Sequence, residues 1–489
     1  MAQDILINAG VVETRVAILS DGKLQDFFLD RTLGGEEGAR AGASLVGDIV
    51  LGRVERVVPA VQAAFVDIGL ERAGFLGARE ARCLAERDEG DEPPPIAASV
   101  REGDAVLVQI TKDPMGEKGA RLTASITLPG RMVVLAPYQD GVALSRRIED
   151  EAERARLQTI VEKFADEAGY IVRTAAINAS KQELETDAQR LLEAWREIET
   201  EADDVDPPAT LYRDLSPVAR TLRDYVLADT ARVIIDDREA FAEAQDYAKH
   251  AMPEAAAKLQ LHQGEPLFEK FNIEGEIEAL INPRVNLPGG GWINIESTEA
   301  LTAIDVNSGR MTDTSALEET ALRTNVEAAA EIGRQLRLRG IGGLVAVDFM
   351  KLAVSENAAR VIAALGKGMA LDKAPTQISE MSGNGLVEIT RKRMREPLAR
   401  LLTEPAENGM SGRMKSASTI ASEFFRRIER EARANPGRTL NGLVSLDILD
   451  WIEDQGAAIP AALTRRGIAQ AKIQPREEWP REKFDVAVE

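Results

Sequence analysis

The sequence has almost none of the residues on which zinc, disulfide and histidine-based sites depend. Of 489 residues one is cysteine, Cys83, and two are histidines, His250 and His262. One cysteine excludes an internal disulfide and a cysteine-rich zinc site. Two histidines do not favour a histidine-rich metal site or a Ser-His-Asp triad. A metal enzyme of this composition would use mainly oxygen ligands, which predicts Mg²⁺, with Mn²⁺ as the alternative ion.

Long apolar runs and a targeting segment are also missing. No stretch is apolar enough over a sufficient length to span a bilayer, and Met1–Asp4 lacks the basic region of a signal peptide. A cytoplasmic protein without a membrane span is therefore expected. The net charge of −21, from 60 basic and 81 acidic residues, argues against a nonspecific polyanion binder but leaves a local basic groove open. The basic run 391–395 is predicted to be a solvated helix face.

Two apolar, β-branched runs, 300–307 and 342–349, stand out from the rest of the chain. Continuous apolar runs of this length predict strands that are buried on both faces. Between them Ser315 and Glu318 fit a capping box, and apolar residues follow at helical spacing. The sequence thus predicts a strand–helix–strand crossover with the two strands parallel.

Each of these strands ends in an aspartate, Asp305 and Asp348. If the strands are neighbours, the carboxylates emerge side by side, and a hard divalent cation would remove their repulsion. Asn307 lies two residues beyond Asp305, so its side chain shares that face and its neutral amide could donate to a phosphate. The alternative is that each aspartate merely caps a turn. The matched pair favours a phosphate-cleaving metal site.

The preceding chain predicts β structure with nucleic-acid chemistry. Residues 4–30 fit a hairpin, 31–43 a linker, and 46–125 a small β-barrel interrupted by an acidic insertion at 84–97. Phe65, Phe75 and Lys118 are what recognition of a single strand needs, namely aromatic faces for bases and a cation for phosphate. The alternative for both phenylalanines is the barrel core.

The remaining segments are predicted as follows. Residues 129–181 mix strand and helix, and Arg173-Thr174 ends a strand, where it fits a phosphate contact or a surface salt bridge. Helix is expected at 182–202 and 216–230. Further expectations are β structure at 272–297, a linker at 404–417 and a helix at 418–434.

Residues 300–310, followed by Glu318-Glu319-Thr320 and the chain through Phe349, closely resemble the catalytic core of the ribonuclease E/G family. The motif 63–67 with 71–76 resembles that family's S1 domain, and 145–149 with 171–175 resemble its 5′-sensor. The resemblance runs in order from residue 1 to about 400. It is weak beyond 404, and the chain has the short length of a ribonuclease G-like member.

The resemblance implies a multidomain α/β and α+β architecture that pattern reading could not supply. Its parts would be an RNase H-like domain (1–35 and 220–280), an inserted S1 barrel of the OB type (36–125), a 5′-sensor (126–219), a DNase I-like catalytic subdomain (281–402), a linker (403–417) and a small α/β domain (418–489).

The same resemblance implies an activity and residue roles. The activity would be endonucleolytic cleavage of single-stranded, A/U-rich RNA to 5′-phosphate and 3′-hydroxyl ends, in RNA processing and decay. Asp305 and Asp348 would hold magnesium, Asn307 would position the scissile phosphate, and Phe65, Phe75 and Lys118 would grip RNA. A pocket for a 5′-monophosphate would be formed by Gly130, Val134, Arg146, Arg173 and Thr174.

Two departures from the family pattern matter. The family usually has a Cys-x-x-Cys after the catalytic subdomain, through which two protomers share a zinc; residues 403–409 contain no cysteine. No zinc is expected, a zinc-linked dimer is not available, and any homodimer would lack that link. Where the 5′-sensor takes an arginine, this chain has Lys373, so weaker monophosphate sensing is predicted.

Two other functions stay open at this stage. A non-enzymatic RNA-binding paralogue would not need Asp305, Asn307 and Asp348 together. A nuclease that prefers DNA is not favoured by the S1-like barrel.

Overall fold

The chain divides into two compact units. The computed structural model describes residues 3–31, 44–85, 92–114, 118–165, 167–309, 317–406, 412–455, 458–468 and 471–489. One unit comprises residues 1–41, 229–241 and 258–489, and the other comprises 42–228 and 242–257. Among the described residues, no helix combines the length and apolar character that a membrane crossing requires.

The first strands form the predicted hairpin, extended by a third strand. They are β1 (Gln3–Ala9), β2 (Glu13–Ser20) and β3 (Lys23–Arg31), paired antiparallel in chain order. Asp21 and Gly22 join β2 to β3 with φ of 49° and 78°. Positive φ at both positions is the backbone that a tight hairpin turn requires. The predicted linker at 31–43 lies almost wholly outside the described residues.

The predicted barrel is present. Its elements are β4 (Ile49–Val58), β5 (Ala63–Asp67), β6 (Gly74–Gly77), helix α1 (Ile96–Ser99), β7 (Ala105–Lys112) and β8 (Arg121–Thr123). The sheet runs β4-β5-β6-β8-β7, and β4 also pairs with β7, which closes it. Val50, Val66 and Leu76 lie in its core. Residues 86–91 of the acidic insertion lie outside the described ranges.

A four-stranded sheet and three helices follow the barrel. The elements are β9 (Leu128–Pro129), β10 (Val133–Ala136), β11 (Val142–Leu144), α2 (Glu151–Val161), β12 (Gly169–Val172), α3 (Lys181–Asp204), β13 (Ala209–Tyr212) and α4 (Pro217–Tyr225). The sheet order is β11-β12-β10-β9, whereas β13 pairs with β4 of the barrel. Ser180 and Glu183 form a capping box that fixes the start of α3.

The chain then returns to the N-terminal sheet. The elements are β14 (Thr230–Ile235), α5 (Arg238–Ala251), α6 (Pro253–Ala256), β15 (Leu259–Leu261), α7 (Leu267–Lys270) and α8 (Glu274–Ala279). β14 runs parallel to both β1 and β15, giving the order β15-β14-β1-β2-β3. The prediction of β structure from residue 272 is wrong at α8. Ile273, Ile277 and Leu280 recur at helical spacing and are buried in the core beside this sheet.

The central unit is a six-stranded sheet with two long helices. The elements are β16 (Arg284–Asn286), β17 (Trp292–Ser297), β18 (Thr302–Asn307), α9 (Leu317–Leu338), β19 (Gly343–Asp348), α10 (Ser355–Met369), β20 (Thr376–Ile378) and β21 (Leu386–Arg391). The order is β16-β17-β18-β19-β21-β20. β18 and β19 are parallel neighbours, as predicted.

The expected capping box of α9 involves Ser315, which lies outside the described residues. The carboxylate of Glu318 accepts hydrogen bonds from the backbone amides of Ala353 and Val354 and from the side chain of Asn357. Glu318 therefore ties the start of α9 to the segment that leads into α10.

Burial of β18 and β19 on both faces was a wrong prediction. Along β18 the buried residues Thr302, Ile304 and Val306 alternate with exposed or half-exposed ones. α9 and α10 pack on one face only, where their side chains join those of the strands in one core. Each large aliphatic side chain buried there contributes about 1.5–3 kcal/mol of transfer free energy. The other face is left without a covering layer among the described residues of this core.

The last part of the chain forms a small α/β layer. Its elements are α11 (Leu398–Leu402), β22 (Thr403–Pro405), β23 (Arg413–Lys415), α12 (Ala417–Ala434), β24 (Leu440–Val444), α13 (Leu446–Asp454), α14 (Ala458–Arg465), β25 (Ala471–Pro475) and β26 (Asp485–Val488). β22 and β23 pair antiparallel, so the described ends of the expected linker are regular structure.

The basic run 391–395 is not a helix face. Arg391 ends β21 and is buried, where its guanidinium makes an ion pair with Asp372 at 2.6 Å. Arg395 donates to the carbonyl oxygens of Arg337 and Leu338. The contacts of Arg395 satisfy carbonyl groups at the C-terminal end of α9.

Candidate active site on the open sheet face

Asp305 and Asp348 occupy paired positions on adjacent parallel strands. The register of β18 and β19 places Thr302 opposite Val345 and Asp305 opposite Asp348. Both aspartates are exposed, on the face opposite the helices. Since paired residues of a parallel ladder point to the same side, the two carboxylates emerge together at the carboxyl ends of their strands.

Asn307 shares this face, because β18 continues through it. Its Nδ2 donates a hydrogen bond to Oδ2 of Asp305 at 2.7 Å. This contact fixes the amide beside the carboxylate and leaves the amide oxygen as an acceptor. The expected common face of Asp305 and Asn307 is confirmed.

We call the helix-free side of the central sheet the open face. The pleat assigns to it the side chains of Trp292, Asn294, Glu296, Ala303, Asp305, Asn307, Leu344, Ala346, Asp348, Leu386, Glu388 and Thr390. Four of these are carboxylates. The charge of these carboxylates opposes the approach of a phosphodiester, and a bound cation would offset it.

The donor set of the open face suits a hard cation. Asp305 and Asp348 supply carboxylate oxygens, and Asn307 supplies an amide oxygen, which are the ligand types that Mg²⁺ and Mn²⁺ prefer. Within the described ranges no cluster of three or more His, Cys, Asp or Glu residues has metal-binding geometry. Mg²⁺ held by a few protein oxygens commonly keeps several waters among its ligands.

The barrel presents the two predicted phenylalanines together. Phe65 of β5 is paired in register with Phe75 of β6, and their ring centroids are 6.0 Å apart, edge to face. Both rings are partly exposed, so the core alternative does not describe them. The guanidinium of Arg56 lies over Phe65 at 4.9 Å, and that of Arg121 lies 5.9 Å from the Phe75 ring. Aromatic faces and cations thus share one surface of the barrel.

Lys118 is exposed just before the last barrel strand. The next residue, Gly119, approaches the backbone so closely that a Cβ would lie 2.0 Å from the carbonyl oxygen of Ala73. This contact holds Lys118 beside the strand that carries Phe75.

Arg173 makes a salt bridge, one of the two contacts that the sequence predicted for it. Its guanidinium contacts Asp224 at 2.6 Å and donates to the carbonyl oxygen of Gly130 at 2.5 Å. Burial opposes the ionisation of Asp224, but the hydrogen bond and charge of Arg223, and then those of Arg173, lower the pKa of that carboxyl group. Arg173 is thus held beside Gly130.

The other residues expected in the 5′-monophosphate pocket differ in their exposure. Thr174 is exposed, with its hydroxyl 3.3 Å from that of Ser145, and Arg146 is exposed next to Ser145. Val134 is half-buried in β10. Gly130 is buried, and a Cβ there would lie 2.6 Å from the Asp187 carboxylate.

Arg284 and Trp292 were not singled out from the sequence. The guanidinium of Arg284 lies over the Trp292 indole at 4.2 Å from the ring centroid. Trp292 is paired in register with Asn307. The signal was available, since Trp292, Asn294 and Glu296 alternate with Ile293 and Ile295.

The comparisons with known proteins cover the whole chain. The model of the ribonuclease E/G family matches residues 127–394. Ribonuclease G of Haemophilus influenzae is 36% identical over 498 residues, covering 100% of this chain and 99% of that protein. Ribonuclease G of Escherichia coli K12 is 35% identical, with 100% of each chain covered. Ribonuclease E of H. influenzae is 34% identical over 99% of this chain but 51% of its own length. The full-length matches and the family model show that this chain belongs to the ribonuclease E/G family.

Proposed function

We propose that this chain is an endoribonuclease of RNA processing and decay, with its cleavage site at Asp305, Asn307 and Asp348. The family and the full-length similarity to proteins named ribonuclease G support the activity. The observation that carries the site is the in-register pair Asp305 and Asp348 on an exposed face, with Asn307 hydrogen-bonded to the first. A turn cap would not need this arrangement on two adjacent strands.

Asp305 and Asp348 would hold a magnesium ion. When bound, such an ion supplies a nucleophilic water at neutral pH and offsets the charge that develops on the phosphate. The two carboxylates would hold the ion from adjacent paired strands, and this would fix the position where a phosphate can sit. Asn307 holds Asp305 in place through its Nδ2 and can turn that donor toward a phosphate oxygen without adding charge to the face.

The substrate in this proposal is single-stranded, A/U-rich RNA, which is left with 5′-phosphate and 3′-hydroxyl ends. Phe65 and Phe75 would stack bases and Lys118 would contact phosphate, supported by the partly exposed ring pair and the exposed lysine. Weakly stacked, unpaired bases suit such a surface, because a base must leave its neighbours to reach a ring.

A 5′-monophosphate pocket would lie at Gly130, Val134, Arg146, Arg173 and Thr174. The ion pair with Asp224 already uses part of the Arg173 guanidinium. Lys373, which replaces an arginine of the family pattern, offers one point charge rather than a planar fork. Weak preference for monophosphorylated ends follows from both features.

The domain assignments belong to the same proposal. The sheet β15-β14-β1-β2-β3 would be the RNase H-like domain, and the barrel would be the S1 domain. The sheet around Asp305 would be the DNase I-like subdomain. The barrel's closed order supports the second assignment.

The test is cleavage of a fluorescent single-stranded RNA in magnesium by the full chain and by Asp305→Asn and Asp348→Asn. Each variant keeps the side-chain shape and loses the charge, so we expect turnover to fall to background while RNA binding and thermal unfolding stay near those of the parent. Glu388→Gln is the matched control, because it removes one charge from the same face at a position that pairs with Ala346 and with neither aspartate. Parent-like turnover by either aspartate variant would refute the site.

A further inference from the structure

Trp292 has an environment that differs from that of an ordinary surface tryptophan. It stands on the open face in β17, directly opposite Asn307 in the β17–β18 register. Directly paired residues have Cβ atoms about 4.5–5.5 Å apart, and diagonal neighbours such as Asp305 lie at about 7–8 Å. The ring is therefore about one nucleotide away from the proposed cleavage site.

The ring is held in a fixed orientation. Arg284 covers one side of it at 4.2 Å. On the other strand, Gly309 has φ of 72°, and a Cβ there would lie 3.6 Å from Cζ3 of the indole and 2.6 Å from the carbonyl oxygen of Gly290. The turn that follows Asn307 thus packs against the edge of the ring.

Arg284 adds an uncommitted cation to an acidic face. Its Nε donates to the side-chain oxygen of Asn286 at 3.2 Å. Among the described residues it has no ion-pair partner, although Glu296 lies on the same face. A guanidinium stacked on an indole keeps its outer plane and its Nη hydrogens available. Such planes stack on unpaired bases, and the Nη hydrogens match phosphate oxygens.

We propose that Arg284 and Trp292 form a nucleotide subsite, on which the base next to the scissile phosphate stacks. The guanidinium receives the base on its outer plane and contacts the adjoining phosphate, while the indole holds the guanidinium flat. The subsite would position the RNA at Asp305 and Asn307 and rests on the proposed function of that site. Its residues are different from the phenylalanine pair of the barrel.

The test is a double-mutant cycle in which one change is made in the protein and the other in the RNA substrate. Single-turnover cleavage is measured on an RNA series in which one abasic nucleotide is moved along the strand, for the parent and for Trp292→Leu and Arg284→Gln. In the parent, loss of the base beside the cleaved bond should lower kcat/KM by about 5- to 150-fold, the range for one stacked base. Each variant should lose a similar factor on intact RNA and become insensitive to the abasic nucleotide.

Conservative and matched variants separate stacking from folding. Trp292→Phe should keep most of the abasic effect, that is, the fall in kcat/KM when the base beside the cleaved bond is removed, because it retains a ring. Arg284→Lys should lose the effect, because it retains the charge without the plane. Trp479→Leu is the control, since Lys483 lies over that half-exposed indole at 4.5 Å on the small C-terminal layer. It should behave as the parent does.

The outcomes distinguish this inference from the proposed function. The same cycle is then measured as equilibrium RNA-binding affinity, with each subsite change placed in the Asp305→Asn chain. This measurement does not depend on cleavage. If the parent fails to cleave, the proposed function falls and the affinity cycle still decides the subsite. If the parent cleaves but Trp292→Leu shows the parent's rates and the parent's abasic effect, the subsite alone is refuted. The subsite is also refuted if the parent's kcat/KM is unchanged wherever the abasic nucleotide is placed in the RNA.

Discussion

Asn307 donates its amide hydrogen to Asp305 across 2.7 Å, within one strand and on one face. The amide therefore acts on the carboxylate before any phosphate is present. This contact makes Asn307 a positioning residue for Asp305 as well as a candidate donor to the substrate.

Replacing Asn307 should separate these roles. Asn307→Ala removes one donor and should lower kcat by about 10²–10³-fold with a smaller effect on KM. Asn307→Asp should be at least as damaging, because it places a like charge beside Asp305. Single-turnover and steady-state kinetics measure both. Asn294→Ala is the control, since Asn294 lies opposite Asp305 but donates to Glu296 at 2.7 Å. Equal losses in Asn294→Ala and Asn307→Ala would contradict the assignment.

The phenylalanine pair of the barrel should contribute to RNA affinity. Phe65→Leu and Phe75→Leu should each weaken binding of single-stranded RNA at least about fivefold, because each removes a stacking surface. Fluorescence anisotropy of a labelled RNA measures this loss. Phe164→Leu is the control, because Phe164 makes a similar edge-to-face ring pair, with Tyr170 at 5.6 Å, outside the barrel. Its RNA affinity should stay near that of the parent. Unchanged affinity in both barrel variants would show that RNA does not bind at the phenylalanine pair.

The 5′-end preference should be small. The rates on 5′-monophosphorylated and 5′-hydroxyl RNA should differ by less than about fivefold, as for an exposed ion contact worth under ~1 kcal/mol. The reason is that Arg173 is already paired with Asp224 and Lys373 offers no planar fork. Competition between the two substrates in one reaction gives the ratio. A large preference that Arg173→Ala abolishes would show instead that sensing is intact.

Glu429 should make stability depend on pH. Complete burial raises the pKa of this carboxyl group from 4.5 to about 7, with Arg466 and Arg433 opposing the shift and Asp236 and Asp237 adding to it. Between these two pKa values the unfolded chain has released the proton and the folded chain keeps it. Stability therefore falls as pH rises through this window, by on the order of 3 kcal/mol in all.

Glu429→Gln cannot ionise and should remove most of this fall. Thermal unfolding at pH 5 and pH 8 measures it, and the variant should lose less melting temperature between them than the parent. Arg466 keeps a partner in the variant, since it also contacts Asp237 at 2.8 Å. Glu423→Gln, on the same helix and paired with Lys415, is the control. An unchanged pH dependence in Glu429→Gln would refute the assignment.

The sequence by itself determined which segments form strands and which strands bear the aspartates. The β-branched runs at 302–307 and 343–348, with a helical pattern between them, left parallel pairing as the natural arrangement, and the structure has it. Asp21-Gly22 specified the first hairpin through backbone conformations that these residues tolerate. The absence of cysteine at 403–409 was also plain from the sequence. These features are local, so short stretches of chain encode them.

Only the tertiary structure decided which face of the central sheet is bare. The runs looked apolar enough for burial on both sides, yet α9 and α10 cover one side and leave Asp305 and Asp348 exposed, with Asn307 half-buried beside them. Whether a strand face is covered depends on where helices distant in sequence pack, which the strand's own residues do not encode. The contact of Arg284 with Trp292 depends likewise on the register between β16 and β17. Register is a property of two paired strands, and no single segment contains it.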